Sequence, residues 1–423
     1  MLPDLSRVYP GWYIAAAGAT TNIVVMGFIL VGFGIFIRPM REELGWSVAA
    51  IAAGYSVRSF EQGFLSPVAG YLVDRLGPRR MAISGLAILA AGLLLFSQVH
   101  TLPLYYVASA TIALGQSLGT STPYSVALIH WFIRKRGRAM GVLNTGGGFA
   151  YFTTPLLAVL LVVLGWRNTL VLAAVLVLAV GVPLTLTLKG HPAEHGYEPD
   201  GRRIPPRPPA DGDQLPVATG PATRNEPSGA SVAEALRTPA FYLLVLATAA
   251  AGGTYQGWIV HLIPHLENVG YTTATAGLMV AGFGGFQVVL RFSAGWLGDR
   301  VGRRKLYMAC FPLIGIGMLI FANLSPSRPW LLPLYYLTHP VGHAISVALG
   351  QIQVADYFGA RRFGTLRGLN ASLHMPVGVA LPILAGVMFD RTGDYGLAFS
   401  LFGMLALSGL LWIWLIRRGP WPE

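Results

Sequence analysis

Long apolar blocks separated by short polar segments run through the entire chain. Residues 11–37, 81–99 and 397–416 are such blocks, each with 18 or more residues and almost no charge. A helix needs about 20 apolar residues to cross a hydrocarbon core of about 30 Å. Strand-like alternation is absent, and a segment in lipid must satisfy its own backbone hydrogen bonds. The pattern therefore predicts membrane-spanning helices.

Charged and turn residues divide the chain into twelve predicted spans, six before residues 189–239 and six after them. The spans are 11–37, 47–72, 81–99, 104–130, 139–164, 169–188, 240–266, 274–297, 306–323, 331–356, 369–389 and 397–416. The predicted fold class is an all-α membrane protein with two pseudo-symmetric six-helix bundles. Residues 1–188 form the first bundle in this prediction, and residues 240–423 form the second.

The segment 189–239 differs from both bundles in composition. It is rich in Pro, Gly and charge, and residues 202–209 read RRIPPRPP. Such a segment buries too little apolar surface to fold alone, so it is predicted to be a flexible cytoplasmic linker. A short amphipathic piece at 231–237 is predicted to lie on the membrane surface.

Charge is scarce and unevenly placed. Only 11% of the residues are charged, against about 25% in soluble domains. The net charge of +12 comes from short Lys and Arg clusters between apolar blocks, which argues against a nucleic-acid partner. With both termini in the cytoplasm, 23 Lys and Arg fall inside and 5 outside. This bias predicts a multi-pass protein of the cell inner membrane with cytoplasmic termini.

Nothing in the sequence indicates catalytic chemistry. There is no strained nucleophile turn, no phosphate-cradling loop and no set of metal ligands, so neither an enzyme nor a cofactor is predicted. The single Cys310 lies in an apolar run and supports neither a disulfide framework nor a thiolate metal site. The first span has no small-residue cleavage site after it and is predicted to be a retained helix.

An internal repeat supports the division into two halves. Residues 70–80 read GYLVDRLGPRR and residues 295–305 read GWLGDRVGRRK, 225 positions later. Each stretch follows the second span of its half, and Trp131-Phe132 corresponds in the same way to Tyr357-Phe358. Two matched halves joined by a linker are the layout of alternating-access transporters.

The repeated loops are candidates for a conformational gate. Their acids lie at helix ends beside arginines, where they can bridge to a neighbouring helix and hold the cytoplasmic side closed. The alternative, that these charges only set topology, accounts for some of the arginines but poorly for the acids. The predicted gate residues are Gly70, Asp74, Arg75, Gly77, Arg79, Gly295, Asp299, Arg300, Gly302 and Arg303.

The repeated GxLxDRxGxRR pattern resembles the signature loop of the major facilitator superfamily, and the resemblance covers the chain apart from the linker. Finer features resemble the monocarboxylate transporter family and bacterial oxalate/formate-type exchangers. One is the Trp131-Phe132 stretch that runs to Arg138-Ala139-Met140-Gly141. The other is Arg291 followed by Gly295 and Asp299, which is similar to the segment that carries the family's substrate-binding arginine.

Arg291 is an intramembrane charge in the otherwise apolar eighth span. A charge at a helix centre costs roughly 2.5–3.5 kcal/mol on insertion scales, so it is expected to face a cavity or a partner. A guanidinium can hold a carboxylate by two parallel hydrogen bonds, and the resemblance implies this role. The alternatives are snorkelling to the cytoplasmic interface and a structural ion pair.

Other polar side chains in apolar spans are candidates for the cavity wall. Those predicted to bind substrate with Arg291 are Tyr124, Asn144, Gln287, Tyr336 and His343, and further cavity candidates are Asn22, Ser117, Gln256 and Gln351.

Several titratable residues are candidates for proton coupling. Arg58 and Glu61 are three positions apart in the second span, where they either form a pair or leave Glu61 to carry a proton. The histidines His261, His265 and His374 titrate near physiological pH, but each is alternatively a hydrogen-bonded wall residue. No metal site is predicted, because no acid or cysteine accompanies them at ligand spacing.

The sequence lacks two residues that the family resemblance links to proton-coupled transport. The family's lysine in the first span is absent around Val31, and the acid one turn before the arginine is replaced by Gln287. Symport with a proton and exchange of anions both remain open. The eleventh span also lacks the lysine of oxalate-type exchangers, which favours a monoanion over a dianion.

The leading hypothesis is therefore secondary active transport of a small organic anion, a monocarboxylate, by a monomer surrounded by membrane lipids. Efflux of lipophilic drugs or metabolites is an alternative, which predicts a wide aromatic cavity and little need for Arg291. A transporter-like membrane sensor is a third hypothesis from another class.

Overall fold

The computed structural model describes residues 9–57, 72–73, 75–132, 135–190, 192–201, 229–359 and 362–416. Within these residues the secondary structure is helical, and the only β-type pairing is an isolated bridge between Gly229 and Gly359. The predicted all-α fold class is confirmed.

The first half contains nine described helices. They are α1 Pro10–Met26, α2 Ile37–Leu44, α3 Val48–Val57, α4 Pro78–Ser97, α5 Leu102–Gly119, α6 Ser121–Trp131, α7 Arg136–Phe149, α8 Thr154–Leu176 and α9 Val182–Thr185. Gly165 interrupts α8 with a non-helical φ of 74°, which separates the predicted fifth and sixth spans.

The described residues from 229 onward contain seven helices, of which the last six have 20 to 30 residues. They are α10 Val232–Leu236, α11 Pro239–Asn268, α12 Thr273–Val301, α13 Arg303–Ala322, α14 Leu331–Phe358, α15 Phe363–Thr392 and α16 Gly396–Leu415. The last six coincide with the seventh to twelfth predicted spans.

Across the described residues, eight helical segments are long and apolar enough to cross a membrane. Two of these segments, Pro10–Leu44 and Arg138–Thr185, each join several of the helices given above. The second predicted span is described only over Val48–Val57. The count of twelve spans and the domain boundaries remain predictions.

The first span is not a continuous α-helix. A π-helical turn at Gly27–Val31 and a 3₁₀ turn at Phe33–Phe36 connect α1 to α2. The cause is close packing: a Cβ on Gly34 would lie 2.6 Å from the Val260 carbonyl oxygen of α11. Irregular turns of this kind are common at functional sites, and this one places the first span against the second half.

The repeat is visible in the backbone of the turns. Gly77 and Gly302, 225 positions apart, both have positive φ, of 84° and 98°, and both begin a 20-residue helix. Gly45 and Gly270, also 225 apart, have φ of 69° and 105°. Packing follows the same symmetry, because α1 packs on α7 as α11 packs on α15.

A Gly302→Ala substitution is expected to lower the free energy of unfolding by about 1–3 kcal/mol, since an L side chain is strained at positive φ. No atom lies within 4 Å of the added Cβ, so any loss of stability comes from backbone strain and not from a steric clash. The matched control is Gly141→Ala, in helical backbone with equally open space, which is expected to be neutral or stabilising. Thermal unfolding in detergent measures both, and equal midpoints for the two variants would contradict the argument.

The two ends of the molecule are held by different contacts. The proximal end comprises the described residues 9–12, 75–80, 131–132, 135–136, 300–305, 358–359 and 362–363, and the distal end comprises residues 37–48, 97–101, 165–168, 268–273, 323–330 and 390–395. At the distal end, Arg167 pairs with Glu43 at 2.8 Å and donates to the carbonyls of Ser97 and Val99. These bonds tie three distal turns of the first half together.

The predicted linker is anchored on both sides where it is described. Trp131 Nε1 donates to the Lys189 carbonyl, and the Ala230 amide donates to the Phe358 carbonyl. The amphipathic piece at 231–237 forms the short helix α10, begun by a capping box between Ser231 and Glu234. The RRIPPRPP stretch lies outside the described residues, and the membrane-surface position of α10 remains a prediction.

Candidate functional site

A pair of tyrosines joins the two halves in the middle of the molecule. Tyr151 follows α7 in a 3₁₀ turn at Ala150–Thr153, and Tyr255 lies on α11. Their hydroxyls are hydrogen-bonded to each other at 2.5 Å. The Tyr255 ring also stacks on His343 of α14, with centroids 4.2 Å apart and planes 20° apart.

Arg291 lies beside this pair on α12. Its Nε donates to the Oε1 atom of Gln287 at 3.1 Å, one turn earlier on the same helix. Gln287 is fully buried, and its Nε2 donates to the Pro340 carbonyl of α14 at 2.8 Å. Since both ends of the Gln287 amide are engaged, this residue fixes the stem of the arginine between α12 and α14.

The guanidinium of Arg291 is half-buried and lacks an acidic partner among the described residues. Its charge interacts electrostatically with Tyr151, Tyr255 and His343. A half-buried cation with donors still available, next to two hydroxyls, is suited to binding an anion.

Aromatic side chains form an apolar wall next to the charge. The ring of Phe283 lies 4.6 Å from Trp258 and 5.4 Å from Tyr151, between centroids. Trp258 in turn lies 4.7 Å from His339. The site thus combines one cation, a few hydroxyls and imidazoles, and a compact aromatic surface.

The structure brings three of the predicted substrate residues together, Arg291, Gln287 and His343. Tyr124 and Tyr336 make their hydrogen bonds elsewhere, and no hydrogen bond joins Asn144 to this cluster among the described residues. Tyr124 is fully buried in the first bundle, with its hydroxyl 3.2 Å from Thr21 Oγ1, and the Tyr336 hydroxyl donates to the Met279 carbonyl. Asn144 is exposed on α7, one turn before Gly148, which packs against Val288 of α12.

The histidines proposed for proton coupling all make backbone hydrogen bonds. His261 Nε2 donates to the Pro382 carbonyl at 2.8 Å, and His265 Nε2 donates to the Phe321 carbonyl at 2.9 Å. His374 Nδ1 donates to the Asn370 carbonyl one turn earlier. These bonds favour the alternative given in the sequence analysis, in which each histidine is a hydrogen-bonded residue of the wall. Arg58 and Glu61 lie outside the described residues.

The predicted gate residues are only partly described. Gly70 and Asp74 lie outside the described residues, as does the side chain of Asp299, whereas Gly295 lies within α12. Arg75, Arg79 and Arg300 are exposed at the proximal end. Arg303 pairs with Asp356 at the end of α14, at 3.4 Å. The gating role of these loops remains a prediction.

The distal end is closed by contacts that sequence reasoning missed. Asp390 of α15 accepts hydrogen bonds from the amides of Val48 and Ala49, both at 2.9 Å. These amides are at the start of α3, where the first backbone donors of a helix lack intrahelical partners. Gly386, one turn earlier on α15, lies so close that a Cβ would be 2.6 Å from Ala49 Cα.

Near the proximal end the same helix is more open. Residues 371–373 of α15 are exposed, and Asn144 of α7 is exposed as well. Among the described residues, hydrogen bonds between the halves lie at the distal end and in the middle of the molecule. In the middle, the Ser56 hydroxyl also donates to the Val379 carbonyl at 2.8 Å, and the Tyr55 hydroxyl lies 3.4 Å from Gln256 Oε1.

Comparisons with known proteins agree with this architecture. A family model described as the Major Facilitator Superfamily matches residues 17–285 and 258–423. The chain is 26% identical to monocarboxylate transporter 13 of Rattus norvegicus, over 94% of this chain and 87% of that protein. It is 28% identical to monocarboxylate transporter 11 of Homo sapiens, over 97% and 84%. The solved structure of the nucleoside transporter NupG shares the fold, with a TM-score of 0.74 at 14% identity over 96% of this chain and 99% of that chain.

Proposed function

The chain belongs to the Major Facilitator Superfamily, and we propose that it carries a small organic monoanion, a monocarboxylate, across the cell inner membrane by alternating access. Its family and its apolar helices make it a multi-pass membrane transporter and not an enzyme. The substrate class, the mechanism and the cytoplasmic position of both termini are part of the proposal.

The observation that carries the proposal is the environment of Arg291. Its charge interacts electrostatically with Tyr151, Tyr255 and His343, and it has no acidic partner among the described residues. A half-buried cation without a counter-ion is costly in a low-dielectric environment, and a bound carboxylate would reduce that cost. The similarity to two monocarboxylate transporters supports the same substrate class.

Each neighbouring residue has a distinct role in this proposal. The guanidinium donates two hydrogen bonds to the substrate carboxylate, and Gln287 keeps it oriented. Tyr151 and Tyr255 supply hydroxyls from opposite halves, so the substrate touches both halves at once. Phe283 and Trp258 offer an aromatic surface for a short apolar tail.

Movement of the halves would expose this site to each side in turn. Opening the distal end requires Asp390 to leave the start of α3 and the Tyr151–Tyr255 bond to break. The conformation described here corresponds to the state closed at the distal end. With the termini in the cytoplasm, the distal end faces outward.

Matched carboxylates and amides test the substrate class. Butyrate and butyramide, for example, have almost the same shape, but only butyrate is charged. At 100 times its Kd, a true substrate should stabilise the purified protein by about 2.7 kcal/mol, while the amide leaves the melting temperature unchanged. A screen of short monocarboxylates with their amides, followed by uptake into proteoliposomes with and without a pH gradient, measures binding and coupling. Equal stabilisation by acid and amide, or stabilisation by lipophilic cations alone, would contradict the proposal and favour efflux.

A further inference from the structure

A cavity of about 840 Å³ lies at the proximal end of the first half, and Arg291 is not among its lining residues. Three parts of the chain enclose it. They are the turn before α4, the proximal part of α6, and the segment that follows α9. Its lining includes Leu76, Arg79, Arg80, His130, Leu186 and Lys189.

The charges around this cavity are all of one sign. Arg79, Arg80 and Lys189 line it together with two histidines, His130 and His195, and no carboxylate is present among the described residues that line it. Within the described part of the chain, the side chains of Arg79, Arg80 and Lys189 make no ion pair and no hydrogen bond. Three permanent cations around one space repel each other, and an anion between them would relieve that repulsion.

The rest of the wall is apolar and open to the side. Val73, Val126 and Leu188 are among the lining residues, and the side chains of Leu76 and Leu186 remain 48% and 50% exposed. A soluble anion would leave these side chains uncovered. A molecule with an anionic head and an apolar tail would match both parts of the wall.

We propose that this cavity binds the phosphate headgroup of an anionic phospholipid, with its acyl chains along Leu76 and Leu186. Arginine guanidinium groups match the oxygens of a phosphate by parallel hydrogen bonds, and a lysine adds a point charge. The bound headgroup connects the turn at Gly77 with the first residues after α9, because Arg79 and Lys189 come from these two segments. This site is independent of the transported substrate and of Arg291.

The test is to titrate phosphatidylglycerol into delipidated protein in a neutral detergent and to measure binding by native mass spectrometry. The cavity variant is Arg80→Gln with Lys189→Gln. The control is Lys305→Gln with Arg367→Gln, which removes two exposed cations from the proximal end of the second half, and Lys305 is the repeat equivalent of Arg80. The cavity variant should bind about 30-fold more weakly, since each cation near a lipid surface contributes roughly fivefold, and the control should stay within about twofold of the parent.

Three outcomes would overturn the proposal. Equal losses in the two variants would mean that lipid responds only to the total charge of the protein. Glycerol phosphate or inorganic phosphate binding as tightly as phosphatidylglycerol would identify a soluble phosphate compound as the ligand. Phosphatidylcholine binding as tightly, with no loss in the cavity variant, would remove the role of the cations. Unchanged melting temperatures of both variants show that the fold is intact in each comparison.

Discussion

An Arg291→Ala variant is expected to lose uptake of its monocarboxylate by about 100-fold or more. Truncating one partner of a buried, hydrogen-bonded charge pair costs about 2–5 kcal/mol, which corresponds to about 30- to 5,000-fold. Arg291→Lys keeps the charge but not the two parallel donors, and is expected to retain a measurable fraction of the activity. Initial rates of uptake into proteoliposomes measure both variants.

The matched control is Arg328→Ala, which removes an exposed arginine of the loop before α14 and is expected to leave uptake within about twofold. Normal uptake by Arg291→Ala would exclude carboxylate binding at this residue and leave snorkelling as its role. A fall in melting temperature without ligand, equal in the alanine and lysine variants, would indicate a structural role. The affinity for substrate therefore has to be measured alongside stability.

A Gly386→Ala variant is expected to favour the state open at the distal end. The added Cβ would lie 2.6 Å from Ala49 Cα, and backbone atoms cannot yield as a flexible side chain can. Overpacking of this kind costs about 1–3 kcal/mol, enough to shift the balance of the two states about 5- to 150-fold. Because the clash exists only when the distal end is closed, the open state is unaffected.

Distances between spin labels at Asn168→Cys and Ser327→Cys, two exposed distal positions on opposite halves, report the shift. The native Cys310 is buried and should remain unlabelled. The control is Gly378→Ala on the same helix, where the nearest atom to an added Cβ is Gln256 Cγ at an ordinary 3.6 Å. An unchanged distal distance in Gly386→Ala would mean that the α3–α15 contact does not limit closure.

Much of the helical framework was predictable, because length and apolar character determine which segments cross a membrane. The helices α13 and α16 differ from the predicted spans by only a few residues. The π turn in the first span was not predictable, since it results from contacts of Gly27, Gly32 and Gly34 with other helices. Those contacts exist only in the assembled fold.

The candidate site was predictable only in part. Arg291 was recognised because it is a charge in an apolar span. Gln287 was recognised because it lies one helical turn before Arg291. Tyr151 and Tyr255 were missed because a membrane helix is apolar on all faces, so the sequence does not tell which tyrosine faces the other half. Tyr124 looked equally suitable as a polar group in an apolar span, and only the structure places it in the interior of the first bundle. Asp390 was missed because the sequence does not show that the start of α3 lies opposite it.

The absence of an acidic partner for Arg291 among the described residues has an electrical consequence. In the proposed site, Arg291 contributes one positive charge while the site is empty, and a bound monoanion cancels that charge. Moving one elementary charge across the membrane potential is worth about 2.3 kcal/mol per 100 mV. The loaded carrier would then reorient without responding to voltage, while the empty carrier would respond to it. The rate of exchange of one anion for another would not depend on the membrane potential, whereas the rate of net transport would depend on it.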